Sequence, residues 1–393
     1  MNIAILIPEL AGGGAERTSQ IVGNYYAEHG NKVYYFLANT RERQDYSVLG
    51  KVIRTNIETC TSNRFNSLQK MVQLIKSSFE MRRWKRKYKI DVSISFMEEF
   101  NYINILSKGR EKVITSIHSM LSAYEKMYTN NWLYKKWAVS FFYPKSDILV
   151  VMSRISFDEM KDYYRVPAKK MRIVPNMITN DLTLAPEEEQ WGYGTKAVIC
   201  VGRLHPVKQQ ERIIRAFSYT CMKEPDARLI ILGKGEQLEY LKSVCERCHI
   251  VDKVSFAGFT NVSYYLKHAR AFVMASKVEC FPNSMLEAMY FGVPVITTDS
   301  PGGCQEIVGK SNRTGRIHSI TFCKYGILTP VMPSERAKIS GSLVEQEIIL
   351  GEAMLKVLTE DEIYKKYREQ SLKRAEAYSV DRVIEKWNHI VSL

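Results

Sequence analysis

The stretch Val278-Glu-Cys-Phe-Pro-Asn-Ser-Met-Leu-Glu-Ala-Met-Tyr-Phe-Gly292 decides the fold. Its two carboxylates, Glu279 and Glu287, are separated by Pro282 and Asn283 among other residues. Asn283 reads as an N-cap, because its side-chain oxygen can accept from free backbone N–H groups one turn on. Ser284 to Phe291 then reads as a helix, and Gly292 supplies the left-handed stop. An apolar run, Ala271 to Ala275, comes before this unit, and Val293-Pro-Val-Ile296 comes after it as a buried strand. The pattern is strand, loop, helix, strand. Glu279 falls in the loop at a strand's C-terminal end, where open parallel sheets bind ligands. Glu287 is expected in the helix's first turn, near N–H groups that attract anions. Alone, the pair also fits one loop carboxylate and one solvated helix carboxylate.

The rest of the second half repeats the pattern. Lys196 to Val201 is a strand, and Gly202-Arg203-Leu-His-Pro-Val-Lys208 leads into a helix from Gln209 to about Met222. Strands at Arg228 to Leu232 and Val254 to Ala257 alternate with helices over 236–248 and Val262 to Ala269. Gly258 follows the second of these strands. Pro301-Gly-Gly303 opens another helix, Tyr325 to Leu328 is a last short strand, and the tail from Leu343 is mostly helical.

The first half opens in the same way. Asn2 to Pro8 is strand-like, Leu10 to Gly14 is a glycine loop, Thr18 to His29 is a helix, and Lys32 to Ala38 is the next strand. Gly12, Gly13 and Gly14 lie at the first strand's C-terminal edge, where backbone N–H groups can approach a phosphate. The nicotinamide fingerprint G-x-G-x-x-G wants a third glycine where Arg17 stands, which disfavours a dehydrogenase. Ser67 to Tyr88 reads as a helix. Further strands are expected at Asp91 to Phe96, Lys112 to Ile117, Ile148 to Met152 and Met171 to Val174. His118 sits at a strand's C-terminal end, a ligand's place, although a lone histidine is more often structural. Residues 180–195 read as a linker.

A chain of 393 residues is expected to hold two domains. Alternating β and α elements in both halves predict an α/β protein of two doubly wound Rossmann-like domains facing across a cleft. The expected domains are 1–185 and 186–375. A C-terminal helix over 376–393 is expected to pack back on the first. No run approaches the ~20 apolar residues of a membrane helix. The eight cysteines are scattered, so reduced thiols are the default. Cys245-Glu-Arg-Cys248-His249 matches a haem-attachment string, but it falls on a periodic helical segment and is set aside.

The net charge is +14, and residues 1–185 carry 28 Lys and Arg against 17 Asp and Glu. A basic half points to an anionic partner. Six cations lie within Arg82 to Lys89, and Asn131 to Tyr143 interleaves aromatic rings with Lys135 and Lys136. The competing reading is a solvated helix end and a core-facing aromatic helix. The functional reading is contact with an anionic membrane surface.

V-G-R-L-H-P-V-K, A-G-F-x-N at 257–261 and E-C-F-P-N-S-M-L-E-A-M-x-x-G-V-P-V-I together resemble the C-terminal domain of family 4 glycosyltransferases, which have the GT-B fold. L-A-G-G-G-A-E-R looks like their first-strand loop, and Glu279 and Glu287 match their E-x7-E motif. Cys280 stands where the family commonly has glycine. The resemblance implies retaining transfer of a hexose or N-acetylhexosamine from a nucleotide-sugar, by family habit UDP-linked. It implies that Glu279 contacts the donor sugar and Glu287 the ribose. By the same resemblance the Gly258–Phe259 backbone lies near the base, Asn283 belongs to the nucleotide-sugar site, and Ser284 and Met285 can offer helix-start N–H groups to the leaving diphosphate. Arg203 and Lys208 stabilise the leaving group, a task that can replace a metal, and no D-x-D string is present to hold one. No cofactor is implied. Gly13, Gly14 and His118 fall on the side of the transferred sugar and acceptor. That acceptor is expected to be a lipid-linked or oligosaccharide glycan, handled by a cytoplasmic enzyme peripheral to the anionic inner membrane face. A GT-B epimerase or phosphorylase is an alternative. A nucleic-acid-binding protein is another, but no dedicated module for nucleic acid is present, so no nucleic-acid partner is expected.

Overall fold

The computed structural model describes residues 1–39, 46–58, 67–123, 132–178, 191–310, 315, 317–336 and 341–392. The chain forms two units, Met1–Asn176 with Asp381–Leu393, and Met177–Val380. Residues 180–190 of the expected linker lie outside the described residues. The remainder of that linker is not free: the Trp191 ring stacks on His268 at 4.9 Å, on the helix Val262–His268.

In the first unit seven strands form one sheet. They are β1 (Asn2–Leu6), β2 (Lys32–Leu37), β3 (Lys51–Arg54), β4 (Val92–Phe96), β5 (Lys112–Ile117), β6 (Ile148–Val151) and β7 (Met171–Ile173). Their order is β3-β2-β1-β4-β5-β6-β7, and every pairing is parallel. A parallel sheet is covered on both faces, so its strands read as continuous buried runs. β4 is such a run, yet it carries Ser93 and Ser95, both fully buried. Their hydroxyls donate at 2.7 Å to Asn104 and Asn101 of the helix Glu98–Leu106. The same Asn104 accepts from Lys85 of the helix Ser67–Lys87, whose ammonium also reaches Glu111 Oε1 at 2.9 Å. Lys85 is therefore inside the unit, and its burial lowers its pKa to about 8. Trp84 and Tyr88 pack against Phe36. The run Arg82 to Lys89 is only in part a solvated surface, because each helical turn carries one side chain inward.

The second unit repeats the plan with β8 (Ala197–Val201), β9 (Arg228–Leu232), β10 (Val254–Gly258), β11 (Ala271–Met274), β12 (Val295–Thr298), β13 (Thr321–Phe322) and β14 (Ile327–Thr329). The order is β10-β9-β8-β11-β12-β14-β13, with only β13 antiparallel. Arg212 and Arg215 of the helix Gln210–Lys223 both donate to the buried Glu347 Oε1, at 2.8 and 2.9 Å. That triad ties the helix to Glu345–Thr359. The last helix, Val380–Ser392, packs on the first unit: Trp387 lies against Phe96, and Asn388 donates to the Tyr25 hydroxyl at 2.8 Å.

Candidate active site

In each sheet the chain winds one way from a central strand and then the other way from its neighbour. The reversal falls between β1 and β4 in the first unit and between β8 and β11 in the second. The loops after these strands diverge and leave a crevice at the sheet's C-terminal edge, where ligands bind in such folds.

In the second unit these loops are 202–209 and 275–282. Lys208 ends the first, in a short 3-10 turn Pro206–Lys208. Its ammonium donates to Glu279 Oε1 in the second loop. Ser276, buried at the end of β11, donates its hydroxyl to the same oxygen at 2.7 Å. The Glu279 side chain is 12% exposed and that of Lys208 is 27% exposed, so the pair is sheltered but reachable. His205 turns inward, its Nδ1 accepting from the Val207 N–H at 3.2 Å. Burial, then the Arg203 guanidinium, lowers its pKa, so it stays the neutral acceptor that this bond needs. The Arg203 side chain is exposed, and its carbonyl accepts from Gln210 Nε2 at 2.9 Å.

The Glu279 backbone is fixed from behind. Glu279 N–H donates to the Pro301 carbonyl at 3.2 Å, and Gly303 N–H donates to the carbonyls of Glu279 and Cys280. A Cβ on Gly302 would fall 1.5 Å from the Glu279 carbonyl oxygen, and Gly302 has φ +124°. Only glycine lets the two loops approach this closely. Cys280 itself is buried.

The helix that follows is Asn283–Tyr290, stopped by Gly292 at φ +70°. Two expectations fail here. Asn283 is not the N-cap: Pro282 holds that position, no side chain caps the helix, and Asn283 is its first residue. Proline's fixed φ suits an extended residue at the helix mouth, and it moves the start one residue earlier. Glu287 therefore falls past the first turn, which holds no acid. Asn283 Oδ1 is buried without a partner among the described residues. Such an atom costs free energy until something donates to it. Ser284 is half-buried and Met285 is fully buried. Farther along the edge, Gly258 ends β10 at φ +72°, and Phe259 beside it is 59% exposed.

In the first unit the helix after β1 is Gly14–Glu28, longer than expected. Gly12 turns at φ +71° and Gly13 is extended, so the helix opens at Gly14. Gly13 stands at its N-cap position without a side-chain cap. The Glu16 carboxylate folds against it, 2.0 Å from where a Gly13 Cβ would lie. Glu16 is a buried acid in the first turn, a placement that the helix dipole favours. Sequence reasoning passed over it, as it did Ser276 and the buried Thr18–Asn176 contact of 3.0 Å. His118 follows β5. Its Nε2 meets Ser116 Oγ at 3.0 Å, its ring packs on Phe96, and its Nδ1 is buried without a partner among the described residues. Burial lowers its pKa to about 3, which keeps the imidazole neutral.

Comparison with known proteins agrees with this fold. Residues 12–182 match the family described as Glycosyltransferase Family 4, and residues 184–319 match Glycosyl transferases group 1. The chain belongs to the family 4 glycosyltransferases, with the GT-B fold, and is an enzyme of the hexosyltransferase kind. It is 27% identical over 369 residues to an uncharacterised glycosyltransferase of Methanocaldococcus jannaschii, covering 87% of this chain and 89% of that one. It is 23% identical over 381 residues to a Campylobacter jejuni N-acetylgalactosaminyltransferase acting on N-acetylgalactosamine-N,N'-diacetylbacillosaminyl-diphospho-undecaprenol, covering 96% and 95%. The Anabaena protein HepE, solved with UDP and glucose, superposes with a TM-score of 0.75 at 16% identity, covering 100% of this chain and 99% of that one.

Proposed function

We propose that this chain moves a hexose or N-acetylhexosamine from a UDP-sugar to a lipid-linked glycan, with retention of configuration, during assembly of a surface polysaccharide. The observation that carries the reading is the Lys208–Glu279–Ser276 cluster at the switch point of the second unit. As the glycosidic bond breaks, negative charge builds on the diphosphate oxygens. Arg203 and Lys208 meet that charge with fixed positive charge, aided by the N–H groups of Ser284 and Met285 at the helix mouth. Asn283 belongs to the same wall. Glu279 serves the donor sugar and Glu287 the ribose hydroxyls. The backbone at Gly258 and Phe259 receives the base, while His118, Gly13 and Gly14 serve the transferred sugar and acceptor. The roles differ from a glycosidase pair, in which both carboxylates flank one bond at about 5–5.5 Å.

UDP is favoured because HepE holds it on the same fold. A lipid-linked acceptor is favoured by the Campylobacter relative, whose acceptor ends in diphospho-undecaprenol. The basic first half suits the same setting, with the enzyme peripheral on the anionic inner face of the membrane.

The test is a panel of nucleotide-sugars screened for thermal stabilisation, then for transfer, with the new linkage assigned by proton NMR. Stabilisation by UDP-sugars and an axial-to-axial outcome are expected. No response to any nucleotide-sugar would end the reading. Within it, Glu279→Gln should cut turnover with little loss of UDP affinity, and Glu287→Ala should weaken UDP itself. The reverse pattern would exchange their roles.

A further inference from the structure

We infer that the outer face of one helical layer in the first unit inserts into the surface of an anionic lipid bilayer. The inference specifies the membrane contact proposed above and is independent of the transfer chemistry.

The helices Ser67–Lys87, Glu98–Leu106 and Trp132–Phe142 connect β3 to β4, β4 to β5 and β5 to β6. All three steps cross the sheet in the same direction. Right-handed crossovers therefore put all three helices on one face. Their contacts agree: Lys85 reaches Asn104, and the rings of Tyr102 and Phe142 meet at 5.0 Å. The inner sides of these helices are spent on the sheet.

The outer sides keep large apolar side chains exposed. Met71, Ile75 and Phe79 are spaced four apart on the first helix, and Leu133, Trp137 and Phe141 are spaced four apart on the third. Residues four apart lie along one side of a helix. All six are between 44% and 66% exposed. Single exposed apolar side chains are ordinary, but two stripes on the same layer, on either side of the helix Glu98–Leu106, are a feature that calls for a partner. The Trp137 and Phe141 rings stack at 5.0 Å, and the Lys145 ammonium sits 3.1 Å above the Phe141 ring. Aromatic rings beside lysine are what the headgroup level of a bilayer accommodates.

Charge selects the occupant. Lys70, Lys76, Arg83 and Arg86 are exposed along the first helix, and Lys145 lies beyond the third. The only acid on the first helix, Glu80, accepts from Asn56 N–H and Trp84 Nε1. The third helix has no acid, and the two acids of the middle helix, Glu98 and Glu99, are half-buried in its first turn, where Glu98 accepts from the Tyr102 hydroxyl. A second copy of this chain would set like charge against like. An anionic bilayer offers headgroups for the cations and hydrocarbon for the stripes. Among the described residues no helix is long and apolar enough to cross a membrane, so the contact is a surface one.

The experiment is co-sedimentation of the full chain with vesicles of phosphatidylcholine alone and of phosphatidylcholine with phosphatidylglycerol. A stripe variant carries Phe79→Gln and Trp137→Gln, and a charge variant carries Lys70→Gln, Lys76→Gln and Arg83→Gln. All five side chains are exposed, and unchanged UDP-induced stabilisation or an unchanged melting curve shows that the fold survives. Wild type should bind the anionic vesicles, and each variant should lose about tenfold or more in partitioning. Binding by the charge variant should respond less to added salt than binding by wild type or the stripe variant. Failure of wild type to bind anionic vesicles at low salt would overturn the inference. So would wild-type binding by the stripe variant, or a wild-type dimer that the stripe substitutions split. Transfer to a soluble acceptor reads the chemistry separately, so loss of one leaves the other standing.

Discussion

Lys208 and Glu279 are 71 residues apart in sequence, yet the ammonium of one donates to the carboxylate of the other across the switch point of the second sheet. The bond joins the loop after β8 to the loop after β11. It puts a fixed cation and a fixed anion at the mouth of one crevice. Neither position is meaningful without the other, and the strand order alone brings them together.

Ser276 sets the carboxylate of that pair. Its hydroxyl donates to the oxygen that Lys208 also reaches. A hydrogen bond to a charged group contributes about 1.5–3 kcal/mol, so Ser276→Ala is expected to lower turnover by about tenfold or more. UDP affinity should stay near wild type, because the hydroxyl orients Glu279 rather than the nucleotide. Initial rates and calorimetry separate the two, and a loss confined to UDP affinity would contradict the assignment.

Gly302→Ala is a test of the scaffold behind the carboxylate. A methyl group there has no room beside the Glu279 carbonyl, and the backbone is in a region that only glycine occupies easily. Strain of about 1–3 kcal/mol is expected, together with a displaced Glu279 loop. Activity should fall further than the melting temperature suggests. Wild-type turnover in this variant would mean that the loop position does not matter.

His118 should make stability depend on pH in one direction. An unfolded imidazole has a pKa of about 6.5, and burial lowers it to about 3 in the fold. Between those values the unfolded chain binds a proton that the folded chain does not. Its contribution is therefore full above about pH 6.5 and is lost as pH falls toward 3. His118→Asn should flatten the fall in denaturant midpoint across that window. An NMR titration of His118 with a midpoint near 6.5 would contradict the burial argument.

Lys85 offers a check on the core of the first unit. Lys85→Met leaves the Glu111 carboxylate buried without its cation, at a cost of about 3–5 kcal/mol. Lys85→Met combined with Glu111→Leu should recover most of that loss in urea unfolding. Equal destabilisation by the single and double variants would show that the two charges do not act as a pair.

Much of this was legible in the sequence, for physical reasons. Central parallel strands such as Ala271–Met274 are apolar throughout, so they stand out from flanking loops. The edge strand Lys51–Arg54 was missed because only Ile53 in it is buried, and the two-residue Thr321–Phe322 is too short to show a pattern. The helix Glu98–Leu106 was missed as well, its inward asparagines reading as polar loop. Motif spacing brought out Glu279, Lys208 and Asn283 but not Ser276, since one serine after a strand carries no signal of its own. Lys85 looked like part of a surface run because inward rotation by a helical turn is invisible in a string of cations.

The central claim is that the crevice built by Lys208 and Glu279 receives a nucleoside diphosphate. Calorimetric titration of UDP into wild type, Arg203→Ala and Lys208→Ala tests it most directly. Each charge-assisted contact to phosphate contributes about 1.5–3 kcal/mol, so each substitution should weaken UDP about tenfold or more while the melting curve stays cooperative. Equal UDP affinity in all three proteins, or no UDP binding by wild type, would contradict the account.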